Sequence, residues 1–184
     1  MGCNEGDLTY EVLQEAQKQL PNVVIKAIGT DLDEELIERA KEKFTANNHM
    51  LFAALNIMEG DSLTNFMAKH KISSFGLVSC FSITMWIHMN HGDEGLKHFL
   101  KLVGTVSNCS VLLEPQLWKS YRKANERCRR RGIPELPYFK TLKIKDIKQS
   151  CIDVYSNFFG MTLQQHDDET PGWNRPLMLF SFKP

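Results

Sequence analysis

Short apolar runs alternate with amphipathic helical patterns through the first two thirds of the chain. The predicted strands are residues 23–28, 50–57, 75–81 and 110–114. The segments between them carry apolar residues at the spacing of three and four that one face of a helix requires. Alternation of this kind predicts an α/β fold with a doubly wound, mainly parallel sheet.

The last third of the chain adds helices and a final pair of strands. A helix is expected to begin at His91, a basic helix is expected over residues 119–131, and a further helix over residues 144–159. The closing strands, residues 161–165 and 177–182, flank a polar loop at residues 167–175. This pair predicts an antiparallel hairpin at one edge of the sheet.

A glycine turn precedes the first helix. Gly2, Asn4 and Gly6 lead directly into a helical pattern, and residues of these types tolerate the left-handed backbone that a close ligand approach demands. A plain tight turn and a nucleotide-binding turn both fit. Asp31 follows a predicted strand, where it can accept hydrogen bonds from a ribose diol or supply charge at the start of the next helix.

Composition describes an ordinary globular chain. Its 184 residues, with 42% hydrophobic and 24% charged residues, predict one domain over residues 1–184. We expect no membrane contact, and a cytoplasmic location with a nuclear one as the alternative. The five cysteines are odd in number and widely spaced, so we expect reduced, mostly buried thiols and neither disulfides nor a zinc site.

Residues 82–93 place two histidines, an asparagine and a tryptophan directly after a predicted strand. His88 and His91 could be metal ligands, although no third ligand is evident. One of them could act as a general base. Otherwise they position an anionic substrate or belong to a buried polar layer.

The segment after the next strand is rich in polar and basic residues. Residues 114–118 read Glu-Pro-Gln-Leu-Trp, and seven basic residues stand against one acid between Lys119 and Arg131. The first group fits either a capped strand end or a binding site. The basic helix fits either a solvated surface or a surface that binds the phosphate backbone of a nucleic acid.

Four motifs together resemble the bicoid-interacting family of RNA methyltransferases. They are Gly-Cys-Asn-Glu-Gly-Asp-Leu-Thr, Gly-Thr-Asp-Leu-Asp, Thr-Met-Trp-Ile-His-Met-Asn-His-Gly-Asp-Glu-Gly-Leu and Leu-Glu-Pro-Gln-Leu-Trp-Lys-Ser-Tyr, in this order. The Trp-Ile-His-Met-Asn-His form, the basic helix and the sequence Gly-Trp-Asn-Arg-Pro-Leu look more like the branch that acts on RNA 5′-monophosphates than like the methylphosphate capping enzyme.

This resemblance implies a Rossmann-like class I methyltransferase that uses S-adenosyl-L-methionine and acts on small RNAs of the precursor-microRNA or tRNA type. It implies no metal, no membrane and a monomer. The implied cofactor-binding residues are Gly2, Asn4, Gly6, Asp31, Asn56, Ile57 and Phe81. The implied phosphate-contacting residues are His88, Asn90 and His91, and the other implied substrate-binding residues are Glu114, Gln116, Trp118, Lys119, Tyr121, Arg122 and Lys123.

The chain departs from the family pattern in two places. Asn56 stands where relatives usually carry Asp, and its amide oxygen can still accept a hydrogen bond from an adenine amino group. The first strand of the family, which precedes the glycine turn, is expected to be missing. Two alternatives therefore remain open: an inactive remnant that binds RNA or a partner, and a methyltransferase for a small molecule.

Overall fold

The computed structural model describes residues 1–167 and 175–183. The chain forms two compact units, Met1–Lys71 and Ile72–Pro184. Each unit has its own sheet, of two strands in the first and four in the second. The expectation of one domain over residues 1–184 stays a prediction.

The first unit alternates helix and strand, as predicted. Its sheet is parallel, and the register runs from Ala27 opposite Met50 to Asp31 opposite Ala54. The elements are helix α1 (Asp7–Gln19), strand β1 (Ala27–Asp31), helix α2 (Glu34–Lys43), strand β2 (Met50–Ala54) and helix α3 (Ser62–Lys69).

The core of the first unit brings the glycine turn close to the sheet. Buried Ile37 and Phe52 pack together with Phe44 of the α2 end. A Cβ atom on Gly6 would lie 2.7 Å from the Phe52 ring, and one on Gly29 would lie 2.6 Å from it. Only glycine therefore allows this ring to pack under both the turn and strand β1.

The second unit carries a four-stranded mixed sheet in the order β3-β4-β6-β5. Strands β3 and β4 are parallel, whereas β6 is antiparallel to both of its neighbours. This confirms the predicted hairpin at the edge of a sheet. The elements are β3 (Phe75–Phe81), α4 (Thr84–Val106), β4 (Ser107–Glu114), α5 (Trp118–Arg130), α6 (Ile147–Ile152) followed by a π-helical segment (Asp153–Phe158), β5 (Thr162–Asp167) and β6 (Leu177–Ser181).

The long helix α4 supplies much of the core of the second unit. Leu96, Phe99, Leu100 and Val103 recur at helical spacing and are fully buried. The Tyr155 ring of the π-helical segment lies 5.0 Å from the Phe180 ring of β6. This core holds strands β3 and β4 in place. Ser82 and Glu114 lie at their carboxyl ends.

Several predicted boundaries were wrong. The strand predicted over residues 23–28 is β1, four residues further on, because Val23 and Val24 are 50% and 74% exposed. The strand predicted over residues 50–57 ends at Ala54, because its pairing with β1 ends there, with Ala54 opposite Asp31. Pairing and burial override β propensity at both places.

The largest boundary error concerns helix α4. It begins at Thr84, seven residues before the predicted start, with a break at Gly92 (φ 72°). Strand β4 begins at Ser107, and the helix predicted over residues 144–159 is α6 with its π-helical extension. The closing strands shift by at most two residues, and the predicted loop at 167–175 falls largely on residues 168–174, outside the described residues.

The cysteines are free thiols, as predicted, but fewer are buried than expected. Cys80 and Cys151 are buried, Cys3 and Cys128 are partly buried, and Cys109 is exposed. Of the helices in residues 1–167 and 175–183, none has the length and apolar character that crossing a membrane requires.

Candidate functional site

The glycine turn of the first unit has the left-handed backbone that its residue types predicted. The φ angles of Gly2, Asn4 and Gly6 are 69°, 51° and 86°. The N–H groups of Gly2 and Cys3 both donate to the Thr30 carbonyl, at 2.7 and 3.0 Å. The turn is thereby anchored to β1 before helix α1 begins.

Asp31 links the turn to the end of β1. Its Oδ2 accepts the Asn4 N–H at 2.8 Å, and its Oδ1 accepts the Asp33 N–H at 3.2 Å. A carboxylate offers about four lone-pair positions, so each oxygen retains capacity for a hydroxyl donor. Asp33 caps α2 through bonds from the Glu35 and Leu36 N–H groups. Asp31 is therefore not needed as the helix cap and fits a ribose diol.

Asn56 and Ile57, the two residues predicted to contact the adenine, differ in burial. Asn56 is partly buried, and its Oδ1 accepts the Met58 N–H at 3.1 Å. This oxygen can accept a second hydrogen bond. Ile57 is only 7% exposed and belongs to the core. Its predicted adenine contact stays a prediction.

In the second unit, polar side chains join the carboxyl ends of β3 and β4. Phe81 pairs with Glu114 at the last position of the parallel ladder. The next residue, Ser82, has a left-handed backbone (φ 57°) and donates its N–H to the Glu114 carbonyl at 3.2 Å. A non-glycine residue in this conformation is strained, and such strain clusters at functional sites. The predicted cofactor contact of Phe81 stays a prediction.

Gln116 connects this strand end to helix α4. Its side-chain amide donates to the Ser82 carbonyl. Its Oε1 accepts from the Thr84 hydroxyl at 2.9 Å and from the Met85 N–H at 3.1 Å. Gln116 is 1% exposed, so the predicted substrate contact is corrected: the side chain caps α4 instead.

Glu114 has an ionic partner that the predicted site did not include. Arg175 Nη1 lies 2.8 Å from Glu114 Oε1, and the two side chains are 20% and 18% exposed. The same nitrogen donates to the Ser82 hydroxyl, which in turn donates to Glu114 Oε1 at 3.0 Å. These three side chains form a compact polar cluster at the strand ends.

His88 lies in a buried polar group. Its Nε2 is 2.8 Å from Asp93 Oδ1, and its Nδ1 is 3.2 Å from the Tyr121 hydroxyl. His88 and Tyr121 are both 0% exposed. The predicted phosphate contact of His88 and substrate contact of Tyr121 are therefore corrected, because neither side chain reaches the surface. The alternative of a buried polar layer describes His88 correctly.

Asp93 also holds the segment that follows α5. Its carboxylate accepts the Lys143 N–H at 2.9 Å and the Ile144 N–H at 3.2 Å. Since an ionised carboxylate only accepts, this network assigns the His88 proton to Nε2, and Nδ1 then accepts from Tyr121. The helix breaks at Gly92, directly before Asp93, and this break lets the Asp93 carboxylate face His88 as well as the backbone of Lys143 and Ile144.

Burial determines the charge state of this group. It lowers the pKa of His88 below its ordinary value of 6.5, although the Asp93 carboxylate opposes the shift. Burial also pushes the pKa of Asp93 upward, but the hydrogen bonds from His88, Lys143 and Ile144 outweigh it and hold that pKa below 3.8. At neutral pH, His88 is therefore a neutral imidazole beside the ionised carboxylate of Asp93.

Asn90 and His91 are exposed on the other side of α4. Asn90 donates its side-chain amide to the Trp86 carbonyl at 2.8 Å, and Trp86 is 43% exposed. The side chains of Asn90 and His91 are therefore accessible, and their contact with a phosphate stays a prediction.

Trp118 begins α5 in an aromatic stack. Its ring lies 5.0 Å from the Tyr121 ring and 5.8 Å from the Phe139 ring, with interplanar angles of 28° and 5°. Lys145 Nζ sits 3.6 Å from the centroid of the Trp118 ring, a cation–π contact. Trp118 is partly buried, so much of its ring surface serves this packing.

Helix α5 presents its basic residues to solvent. Tyr121 and Ala124 are buried, whereas Lys119, Arg122 and Lys123 are exposed. The three exposed side chains are the ones predicted to hold an RNA backbone. The structure thus keeps them available for that role.

A cavity of about 330 Å³ lies elsewhere in the first unit. Its lining includes Leu13, Gln17, Val23 and His49, which lie near the amino-terminal ends of β1 and β2. Ligands of open α/β sheets bind at the carboxyl ends of strands. This cavity is therefore not the candidate site.

Sequence reasoning missed Arg175, Asp93 and Lys145. Arg175 belongs to the sequence Gly-Trp-Asn-Arg-Pro-Leu, which contributed to the family resemblance. Residues 172–174 of this sequence lie outside the described residues. Helical spacing could have identified the burial of His88, because Thr84, His88 and Gly92 recur every four residues and form one buried face. Arg175 bonds Ser82 and Glu114, and Asp93 bonds the Lys143 and Ile144 N–H groups; these partners are distant in sequence and had no local signal.

Comparison with known proteins adds a family and a fold. Residues 75–182 match the family described as Bicoid-interacting protein 3 (Bin3). The chain is 35% identical to the RNA 5′-monophosphate methyltransferase of Mus musculus, over 100% of this chain and 68% of that protein. It is 33% identical to the pre-miRNA 5′-monophosphate methyltransferase of Xenopus laevis, over 100% of this chain and 74% of that protein.

A solved structure shares the fold at low sequence identity. The magnesium protoporphyrin IX methyltransferase of Synechocystis PCC 6803, with bound S-adenosylmethionine, superposes with a TM-score of 0.61 and 10% identity, covering 99% of this chain and 67% of that one. The predicted Rossmann-like class I methyltransferase fold is thus confirmed.

Proposed function

This chain belongs to the Bicoid-interacting protein 3 (Bin3) family, and we propose that it transfers a methyl group from S-adenosylmethionine to the 5′-monophosphate of a small RNA. The observation that carries the cofactor assignment is the glycine turn closed onto Asp31 by the Asn4 N–H at 2.8 Å. The RNA assignment is supported by relatives that match the whole chain, an RNA 5′-monophosphate methyltransferase and a pre-miRNA 5′-monophosphate methyltransferase.

The first unit supplies residues that fit the cofactor. The left-handed backbone at Gly2, Asn4 and Gly6 allows close approach of a ligand. Asp31 would accept the ribose hydroxyls, and Asn56 would accept from the adenine amino group. When bound, S-adenosylmethionine supplies a methyl group on a positively charged sulfur, which a phosphate oxygen can take up.

The second unit supplies residues that fit an anionic RNA end. Lys119, Arg122 and Lys123 are exposed on α5 and would contact backbone phosphates. Asn90 and His91 are exposed on α4 and would donate hydrogen bonds to the terminal phosphate. His88 and Gln116 act one step away: they hold α4, and with it Asn90 and His91, in place.

The reaction needs little acid–base chemistry from the protein. A terminal phosphate has a second pKa of about 6 and is already anionic at neutral pH. Its oxygen is therefore a competent nucleophile without a general base, and rate enhancement would come from positioning. A buried, neutral His88 with both ring nitrogens bonded is consistent with such a mechanism.

Methyl transfer to two matched RNAs tests the proposal. The RNAs share one sequence and differ only in a 5′-phosphate or a 5′-hydroxyl, and label from S-adenosylmethionine is counted in each. We expect labelling of the 5′-phosphate RNA alone. Equal labelling of both would refute the proposal, and labelling of neither, with no cofactor-induced rise in melting temperature, would favour an inactive binding protein.

A further inference from the structure

Arg175 reaches the carboxyl ends of β3 and β4 because of how β6 runs. Strand β6 is antiparallel to β4, with Met178 opposite Leu113, so the two residues that precede β6, Arg175 and Pro176, lie beside the end of β4 at Glu114. Pro176 is buried and follows Arg175 directly. A residue before proline is restricted to an extended backbone, which limits where the guanidinium can point.

The partner of this guanidinium is a carboxylate in an unfavourable place for an anionic substrate. Glu114 ends β4, and its side chain is only 18% exposed. Open α/β sheets bind ligands at the carboxyl ends of their strands. An RNA terminal phosphate carries a charge of about −1.5 to −2 at pH 7. An unpaired carboxylate here would repel that phosphate, with little water to screen the repulsion.

We propose that Arg175 is a positioning residue, which neutralises Glu114 and holds the Ser82 hydroxyl so that a terminal phosphate can bind at the ends of β3 and β4. This inference rests on the proposed function. Arg175 makes both contacts through one nitrogen, Nη1. Ser82 is thus held at three points: its hydroxyl by Arg175, its N–H by the Glu114 carbonyl and its carbonyl by Gln116.

Charge neutralisation makes a prediction that direct phosphate binding by Arg175 does not. If Arg175 acts through Glu114, then removing the negative charge of Glu114 must compensate for the loss of Arg175. The single variant Glu114→Gln removes the negative charge at the end of β4 and should bind 5′-phosphate RNA at least as tightly as the unchanged protein. If Glu114 contacts the substrate itself, the same variant should bind more weakly.

The experiment measures dissociation constants for 5′-phosphate and 5′-hydroxyl RNA by fluorescence anisotropy. It uses the unchanged chain, Arg175→Gln, Glu114→Gln and the double variant, with Lys41→Gln as a control that removes a cation from an exposed pair in the first unit. We expect Arg175→Gln to weaken binding of 5′-phosphate RNA about tenfold, and that of 5′-hydroxyl RNA by less than about twofold. The double variant should return to within about threefold of the unchanged chain.

The outcomes separate this inference from the function on which it rests. Absence of rescue in the double variant, equal loss for both RNAs, or weaker binding by Glu114→Gln would overturn the role of Arg175. An unchanged chain that does not distinguish the two RNAs would instead count against the proposed function. Should Arg175→Gln fail to fold, Glu114→Gln alone still decides whether Glu114 must be neutralised or contacts the substrate itself.

Discussion

The Asn4 N–H lies 2.8 Å from Asp31 Oδ2, so a glycine turn at the start of the chain is bonded to the end of a strand 27 positions later. The bond explains how Asp31 shapes the turn that we propose binds the cofactor. Asp31 shapes the turn and also keeps lone pairs for a ribose.

Replacing Asp31 should therefore weaken cofactor binding. We expect Asp31→Ala to raise the Kd for S-adenosylmethionine by about tenfold or more, since it removes a charged acceptor for both the turn and the ribose. Isothermal titration calorimetry measures this. Asp33→Ala is the matched control: it removes the α2 cap at a stability cost of about 1 kcal/mol and should leave the Kd nearly unchanged. Equal affinity of Asp31→Ala and the unchanged chain would exclude the assigned role.

Gln116 should matter for stability. Replacement by Leu leaves the Ser82 carbonyl, the Thr84 hydroxyl and the Met85 N–H without this buried partner. We expect a loss of about 2–4 kcal/mol in the free energy of unfolding, measured by urea denaturation. Gln19→Leu removes a bond on the exposed face of α1 and should change stability by less than about 0.5 kcal/mol. Similar small effects for both variants would contradict the capping role.

The burial of His88 predicts a dependence of stability on pH. Its pKa in the folded chain is below the unfolded value of 6.5, so between these values the unfolded chain binds more protons. The free energy of unfolding therefore rises with pH in that window, and the stabilisation is lost as the pH falls below 6.5. We expect the melting temperature to fall between pH 7.5 and 5.5.

The variant His88→Gln isolates this contribution. Its melting temperature should depend less on pH between 7.5 and 5.5 than that of the unchanged chain, whatever its absolute stability. Asp93 titrates below 3.8 and does not contribute in this range. His98 is exposed on α4, so His98→Gln should retain the full slope. A His88→Gln curve parallel to that of the unchanged chain would show that His88 is not the responsible group.

The basic surface of α5 should appear in the salt dependence of RNA binding. Replacing Lys119, Arg122 and Lys123 together by Gln should lower the slope of log Kd against log salt by about two to three, because each phosphate contact releases counterions. The control replaces three exposed lysines of the first unit, Lys18, Lys41 and Lys69. Slopes that change equally in both triple variants would indicate a general charge effect.

Local signals predicted the elements whose causes are local. Strand β3 was predicted at its observed bounds, Phe75–Phe81, because it is a short apolar run between polar turns. Helix α2 begins after Asp33, whose side chain accepts the Glu35 and Leu36 N–H groups, so the cause of this helix start is local. The left-handed turn at Gly2, Asn4 and Gly6 followed from residue type alone.

Distant partners explain what the sequence did not predict. Helix α4 begins at Thr84 because Gln116, on a different strand end, caps it. His88 is structural because Asp93 and Tyr121 meet both of its nitrogens. Arg175 joins the strand ends only through the antiparallel course of β6. The monomeric state and the cytoplasmic location stay predictions from the sequence.

The most direct test of the central claim is the location of the transferred methyl group. After reaction with 5′-phosphate RNA and S-adenosylmethionine, the RNA is treated with alkaline phosphatase, which removes a terminal phosphate only while it is a monoester. We predict that labelled RNA keeps its 5′-phosphate, because methylation adds a second ester linkage and converts the monoester to a diester, which the phosphatase does not cleave. Labelled RNA that loses its 5′-phosphate at the rate of unreacted RNA would place the methyl group elsewhere and contradict the proposed function.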